Sequence, residues 1–180
     1  MKSAQQGRIG NWIQTFSGKC FWPFDPRPEE VHIVDIAHSL SMRCRYGGHC
    51  TKFYSVAEHS VLVSNHVKSE HALWGLLHDA AEAYSFDVLG PLKKDLPECR
   101  ALEVRIMVAV CRRFGLLEEE PENVSFIDRS IIADEKAILM VPCERDWDTH
   151  PPRIGAHILA LSPMASKAIF LERFAELYHE

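Results

Sequence analysis

Helical periodicity recurs along most of this chain, and it constrains the fold more than any other feature of the sequence. Apolar residues follow 3.6-residue spacing in successive segments, approximately 29–46, 55–67, 71–84, 98–114, 121–141 and 162–178. Helix start and stop signals accompany them: Ser55-Val-Ala-Glu58 is typical of a capping box, Gly115 of a helix end, and Ser162-Pro163 of an N-cap with proline in the first turn. The pattern predicts an all-α fold of about six helices.

The N-terminal segment breaks this pattern. Residues 12–28 are rich in aromatic residues, Gly and Pro, and a Ser-Gly pair between alternating residues favours a short hairpin or an ordered arm. Gly and Pro also interrupt residues 85–98, which we expect to form a loop with one short turn. The 180 residues therefore divide into an arm, 1–28, and one helical domain, 29–180.

Composition and charge exclude several classes of partner. The net charge of −5 argues against binding to a nucleic acid polymer or to an anionic membrane, since both need a basic surface. We find no apolar run long enough to span a bilayer and no secretory signal at the N-terminus. The six cysteines form no CxxC pair and are interpreted as reduced thiols of a cytoplasmic protein. Ten histidines are a first indication of metal chemistry.

The segment His78-Asp-Ala-Ala-Glu82 carries candidate ligands on a predicted helix. His78 and Glu82 are four residues apart and share a face, and Asp79 lies about 100° round the helix from His78. Polar residues on the inward side of an otherwise apolar helix are costly unless a partner compensates them, and a divalent metal is one such partner. The alternative is a histidine bonded to a backbone carbonyl, with both acids in water.

His59 adds a second candidate ligand on the preceding helix. Val56, Leu62 and Val63 lie one turn away, so this histidine also faces the packed side of its helix. Alone, such a residue is more often a hydrogen-bonded core histidine than a ligand. Together with His78-Asp79 and a later aspartate, it forms the ordered pattern H…HD…D.

This pattern resembles that of HD-domain phosphohydrolases, in particular the small 5′-deoxynucleotidase and deoxynucleoside-triphosphatase branch, including phage and prophage versions. The resemblance covers roughly residues 12–178. It rests on four ordered segments, namely DIAHSLSMRCRYGGH (35–49), FYSVAEHSVLVS (53–64), LLHDAAEAYSFDVLGPLK (76–93) and LSPMASKAIFLERF (161–174). A His-Asp dipeptide alone is common, whereas four such segments in order are specific.

The resemblance implies a single HD-domain helical bundle with a metal held by His59, His78, Asp79 and a downstream aspartate. Asp128 and Asp134 both remain open as the fourth ligand, because isoleucines lie one turn from each. Asp128 is preferred because the family places a glutamate seven residues after its ligand, where this chain has Glu135. A His₂Asp₂ set suits Mn, Fe, Co or Zn, with Mg as a further candidate.

The resemblance also implies the remaining site residues. Glu82 and Asp87 match the family's acid/base carboxylates, although a solvated helix residue and a turn residue are the alternatives for them. Arg45 and Tyr46 match an arginine–aromatic pair that contacts phosphate and nucleoside, and Lys93 matches a phosphate-binding lysine. A guanidinium can bind phosphate in a bidentate manner, while an ammonium acts as a point charge.

The function expected from these residues is hydrolysis of a deoxynucleotide by a metal-activated water. A 5′-deoxynucleotidase releases phosphate from a monophosphate, and a triphosphohydrolase releases triphosphate from a dNTP; the residues named above serve both. The alternatives are a catalytically degenerate nucleotide-binding module and a hydrolase of a signalling nucleotide. The resemblance also favours a homo-oligomer.

Overall fold

A computed structural model describes residues 7–86, 88–147 and 151–179. Within these ranges the chain is almost entirely helical, which confirms the expected all-α class. The α-helices are α1 (Ile33–Met42), α2 (Val56–His66), α3 (Ala72–Leu77), α4 (Gly90–Lys93), α5 (Pro97–Phe114), α6 (Glu122–Leu139) and α7 (Pro163–Leu177). The described ranges also contain the 3₁₀ segments Pro28–Glu30, Arg45–Gly48, Ser69–His71 and Ala80–Tyr84. No helix in the described ranges is both long and apolar enough to cross a bilayer.

The predicted helix ends are confirmed where a local signal defines them. The Ser55 hydroxyl accepts a hydrogen bond from the Glu58 N–H at the start of α2, and Ser162 caps α7 through the Ala165 N–H. Gly115 ends α5 in the left-handed conformation with a φ of 69°, which glycine adopts without steric cost.

Two predicted helices are shorter than the sequence pattern indicated. The first was expected to continue to Tyr46, but α1 ends at Met42 and Arg43 is extended. The second was expected over 71–84, but α3 ends at Leu77 and a separate 3₁₀ segment begins at Ala80. Apolar periodicity does not distinguish α from 3₁₀ turns over a few residues, so it cannot locate these breaks.

The core has two adjoining parts that fix the helices around α2. The larger buries residues from α1, α2, α3, α5 and α7, and the smaller joins α6 to α2, α3 and α5 through Val63, Trp74, Cys111 and Ile131. Since α2 contributes to both, it connects the two parts of the core.

The N-terminal segment forms the expected hairpin. Strand β1 (Ile13–Gln14) pairs antiparallel with β2 (Cys20–Phe21). Phe21 is fully buried, and its ring stacks on Tyr84 at 4.0 Å between centroids. The Asp35 carboxylate accepts hydrogen bonds from both the backbone N–H and the hydroxyl of Ser17, which attaches the hairpin to α1.

Two buried carboxylates hold the segment that precedes α7. Glu58, expected to complete a capping box, instead accepts hydrogen bonds from the backbone N–H groups of residues 159–161 at 2.7–3.0 Å. Asp134 accepts three more from residues 154–156 and one from Arg153. An irregular segment has no ladder to satisfy its N–H groups, so these carboxylates take the place of secondary structure.

Candidate metal centre

Three side chains from three helical elements converge at one point beside α2. His59 lies in the middle of α2, His78 follows the last residue of α3, and Asp128 lies in α6. Each offers one potential ligand atom, and these atoms lie within 4.8 Å of one another. No other group of His, Cys, Asp and Glu in the described ranges meets the same distance criterion.

The hydrogen bonds of the two histidines fix which ring nitrogen faces this point. The Nδ1 atom of His78 lies 2.8 Å from the Gly75 carbonyl oxygen, so it carries the proton and donates. The Nδ1 atom of His59 lies 2.7 Å from a carboxylate oxygen of Glu135, so it donates as well. Both Nε2 lone pairs are then directed to the shared point, which is the arrangement that metal-binding histidines adopt.

Hydrogen bonds alone do not satisfy the Nε2 atoms of the two histidines. The buried Nε2 of His78 has no hydrogen bond of acceptable geometry within the described residues. The Nε2 of His59 lies 3.0 Å from Asp128 Oδ1, but a neutral imidazole has one ring proton, and Glu135 already receives it. The site is therefore completed either by an extra proton or by a cation between Nε2 and the carboxylate.

Of the two aspartates left open by the sequence, Asp128 lies at the cluster and Asp134 does not. The Asp128 carboxylate is 3.0 Å from His59 and 3.9 Å from His78. Burial raises its pKa, but hydrogen bonding and charge from His59 outweigh burial and lower it. Asp134, six residues later, points to the segment before α7 and uses its oxygens there.

Asp79 lies at the edge of the cluster. Its Oδ2 atom is 3.3 Å from His78 Nε2 and 3.6 Å from Arg45 Nη1, so it neighbours the potential ligand atoms without belonging to the three that share one point. Burial raises the Asp79 pKa, but His78 outweighs burial and lowers it. Its role as a ligand stays a prediction.

The charge balance around the cluster favours a divalent cation. Among the described residues, the ion pairs of Asp79, Asp128 and Glu135 include one fixed cation, the Arg45 guanidinium, which pairs with Asp79 and Glu135. With both histidines neutral, negative charges exceed positive ones by two, and uncompensated buried charge is costly. In the metal-free chain, burial lowers the His78 pKa, but Asp79 outweighs it and raises the pKa to about 10. The residues therefore fit a divalent ion.

Glu135 is the residue to which the sequence analysis assigned no role. This fully buried carboxylate binds His59 Nδ1 through one oxygen and the Tyr46 hydroxyl and Arg45 through the other. Burial raises its pKa, but the charges of Arg45 and His59 and the hydrogen bond from His59 outweigh burial and lower the pKa, so the carboxylate remains ionised. The only sequence signal was its spacing after Asp128; its contacts come from elements about 80 residues earlier.

The predicted substrate contacts Arg45 and Tyr46 occupy a tight turn next to Glu135. Tyr46 has a φ of 57°, a conformation that is costly for a non-glycine residue and is concentrated at functional sites. Its ring lies 5.6 Å from that of Trp147, an aromatic neighbour that the sequence did not indicate. The buried Nε of Arg45 has no hydrogen-bond partner within the described residues.

The other predicted site residues form a second charged group. The Lys93 ammonium lies 3.0 Å from a Glu82 oxygen, so a predicted phosphate ligand is paired with a predicted catalytic carboxylate. Glu82 is buried rather than solvated, which removes the alternative considered for it. Asp87, the second predicted catalytic carboxylate, lies outside the described residues.

Comparisons with known proteins give relatives without an assigned activity. No protein-family model matches the sequence. The chain is 36% identical over 170 residues to YfdR of Escherichia coli K12, an alignment that covers 93% of this chain and 96% of that protein. A Rhodobacter capsulatus protein is 36% identical over 115 residues, or 58% of this chain and 59% of its own length. Both relatives are named as uncharacterized proteins.

Proposed function

The chain belongs to the family of Escherichia coli YfdR, and we propose that it is a divalent-metal phosphohydrolase of the HD-domain type that acts on deoxynucleotides. One observation carries the proposal: the Nδ1 atoms of His59 and His78 each lie within hydrogen-bond distance of a partner, which leaves both Nε2 atoms facing Asp128 beside several buried carboxylates. Asp79 is the fourth proposed ligand. Mn, Co, Fe and Zn suit this set of ligands. Mg, a cation that prefers oxygen ligands, is a further candidate.

The proposed chemistry divides between the metal and the surrounding side chains. When bound, the divalent cation supplies Lewis-acid activation of water. Glu82 and Asp87 accept and return protons during attack on phosphorus, because a carboxylate that is not a ligand remains available as a base. Arg45 binds the phosphate oxygens, since its planar fork presents several donors and its Nε is still without a partner in the described residues.

The substrate class follows from the resemblance and from the aromatic residues near Arg45. Tyr46 and Trp147 offer ring faces on which a nucleoside could stack. The proposal covers both monophosphate and triphosphate substrates, and it includes a cytoplasmic location and a homo-oligomer, as the sequence analysis predicts.

The test is hydrolysis of a nucleotide panel by the purified protein. The metal-stripped protein, reloaded with Mn²⁺, Co²⁺ or Zn²⁺, is incubated with dNMPs, NMPs, dNTPs and cyclic dinucleotides. We expect metal-dependent turnover of deoxynucleotides, and the released product separates a nucleotidase (phosphate) from a triphosphohydrolase (triphosphate). Glu82→Gln should lower kcat by about 10²–10⁴, the usual contribution of a general acid or base. Glu98→Gln, at an exposed position of α5, is the matched control.

Absence of turnover with every metal and nucleotide would reject the enzymatic proposal. If nucleotides then still bound to the metal-loaded protein, the degenerate binding module would be the better description. Turnover confined to cyclic dinucleotides would instead favour the signalling-nucleotide hydrolase.

A further inference from the structure

Lys93 lies between two carboxylates from different helical elements. Its Nζ is 3.0 Å from Glu82 Oε1 and also 3.0 Å from Glu103 Oε1. The side chains of Glu82 and Glu103 are only 7% and 17% exposed, and that of Lys93 is 31% exposed. This is a partly buried group in which one ammonium is shared by two carboxylates, and neither the sequence pattern nor the resemblance assigned a role to Glu103.

The three side chains belong to helical elements that differ greatly in length and in packing against the core. Glu82 belongs to a five-residue 3₁₀ segment and Lys93 ends the four-residue α4. Glu103 belongs to α5, an 18-residue helix that buries Ile106 and Val110 in the main core. A lysine side chain has four rotatable bonds and loses much freedom when it is held. Glu103 is therefore the fixed partner of the group.

The charge of Glu103 also sets how strongly Lys93 is retained. Burial lowers the pKa of Lys93, but Glu82 and Glu103 together outweigh burial and raise it. Without Glu103, the ammonium would have one carboxylate partner among the described residues, on a short segment, and a movement of Glu82 would leave it without that ion pair. With Glu103 it retains a second partner while Glu82 is occupied.

We infer that Glu103 is a positioning residue: it holds the Lys93 ammonium beside the Glu82 carboxylate. This inference rests on the proposed function for its catalytic consequence, but the geometry of the group can be tested without turnover. It assigns Lys93 a contact with the catalytic carboxylate in addition to the predicted contact with phosphate.

The first measurement is the rate of acetylation of Lys93 by acetic anhydride, read by mass spectrometry on the full-length protein. The exposed Lys52 serves as the internal reference. Glu103→Gln should raise the labelling rate of Lys93 relative to Lys52 by about tenfold, as expected when one partly buried ion pair is lost. Glu98→Gln, on the same helix, should leave the ratio unchanged. An unchanged ratio in Glu103→Gln would overturn the inference.

The second measurement separates positioning from a structural role. Glu103→Gln should lower kcat for the hydrolysed nucleotide by about tenfold with KM changed less than about threefold, because the affected group acts in the chemical step. Lys93→Met should lower kcat at least as much, and the double variant should be no worse than Lys93→Met alone. The inference would be contradicted if the kcat losses of the two single variants added up in the double variant, or if Glu103→Gln changed only KM. If no nucleotide is hydrolysed but the labelling ratio rises, the proposed function fails and the positioning stands.

Discussion

Glu135 is the residue through which the potential metal ligands and the predicted phosphate ligand are connected. It accepts the His59 Nδ1 proton at 2.7 Å and pairs with Arg45 at 3.3 Å. The first contact fixes the tautomer that exposes Nε2, and the second fixes the guanidinium. Replacing this carboxylate should therefore alter the candidate metal site without removing a candidate ligand.

Glu135→Gln should weaken metal binding by about 10–100-fold, the usual effect of changing the partner of a metal-binding histidine. The amide is a weaker acceptor for the histidine, and it removes one of the two carboxylates that pair with Arg45, leaving Asp79. Isothermal titration of the stripped protein with Zn²⁺ measures the effect. Glu122→Gln, exposed at the start of the same helix, is the control; equal affinity in both variants would show that Glu135 does not orient His59.

Replacement of Asp128 should affect metal binding, whereas replacement of Asp134 should affect the stability of the fold. Asp128→Ala should abolish stoichiometric metal binding and leave a folded protein, because its carboxylate faces the histidines. Asp134→Ala should retain the metal but lose about 3 kcal/mol of stability, because three backbone N–H groups lose their acceptor. Metal content and urea denaturation measure the two effects. Loss of metal only in Asp134→Ala would reverse the assignment.

Protons and metal should compete for His78. Its pKa in the metal-free fold is about 10, above the ordinary value of 6.5. The stabilisation from the protonated form is therefore fully present below about pH 6.5 and is lost as the pH rises through about 10. Since a metal needs the neutral ring, affinity should increase over the same interval. Calorimetry in two buffers of different ionisation enthalpy should detect proton release on Zn²⁺ binding at pH 7; none would contradict the competition.

Among the helices, sequence signals located ends better than breaks. Ser55, Gly115 and Ser162 defined their helix ends correctly because a cap is a local interaction. The break after Leu77 was missed because the apolar periodicity continues into the 3₁₀ segment that begins at Ala80. The predicted capping box was half correct, since the Glu58 carboxylate binds a segment about 100 residues later.

Replacement of Ser55 and replacement of Glu58, the two residues of the predicted capping box, should therefore reduce the stability of the fold by different amounts. Ser55→Ala should cost about 1 kcal/mol, the usual value of an N-cap. Glu58→Ala should cost about 3 kcal/mol, because the N–H groups of residues 159–161 lose their acceptor. Chemical denaturation of both variants provides the comparison. A Glu58→Ala cost no greater than that of Ser55→Ala would indicate that the contact with the segment before α7 contributes little.

For the whole molecule, the sequence indicates which residues are candidate ligands, but it does not indicate how they converge. The helical class and the order of His59, His78 and a later aspartate are local or patterned features. The choice of Asp128 over Asp134 depends on the rotation of α6 against α2, because both aspartates have isoleucines one turn away. The role of Glu135 depends on residues from three separate elements. Such relations arise only when the core has packed.

The proposal that His59, His78 and Asp128 hold a divalent metal is tested most directly by a crystal structure of the protein grown with Zn²⁺, with anomalous data collected at the zinc edge. We expect one strong peak about 2.0–2.2 Å from His59 Nε2, His78 Nε2 and an Asp128 oxygen, the range typical of such ligands. His59 Nδ1 should remain bonded to Glu135. No peak at this point, with His59 Nε2 still 3.0 Å from Asp128 Oδ1, would show that the three residues form a hydrogen-bonded cluster and hold no metal.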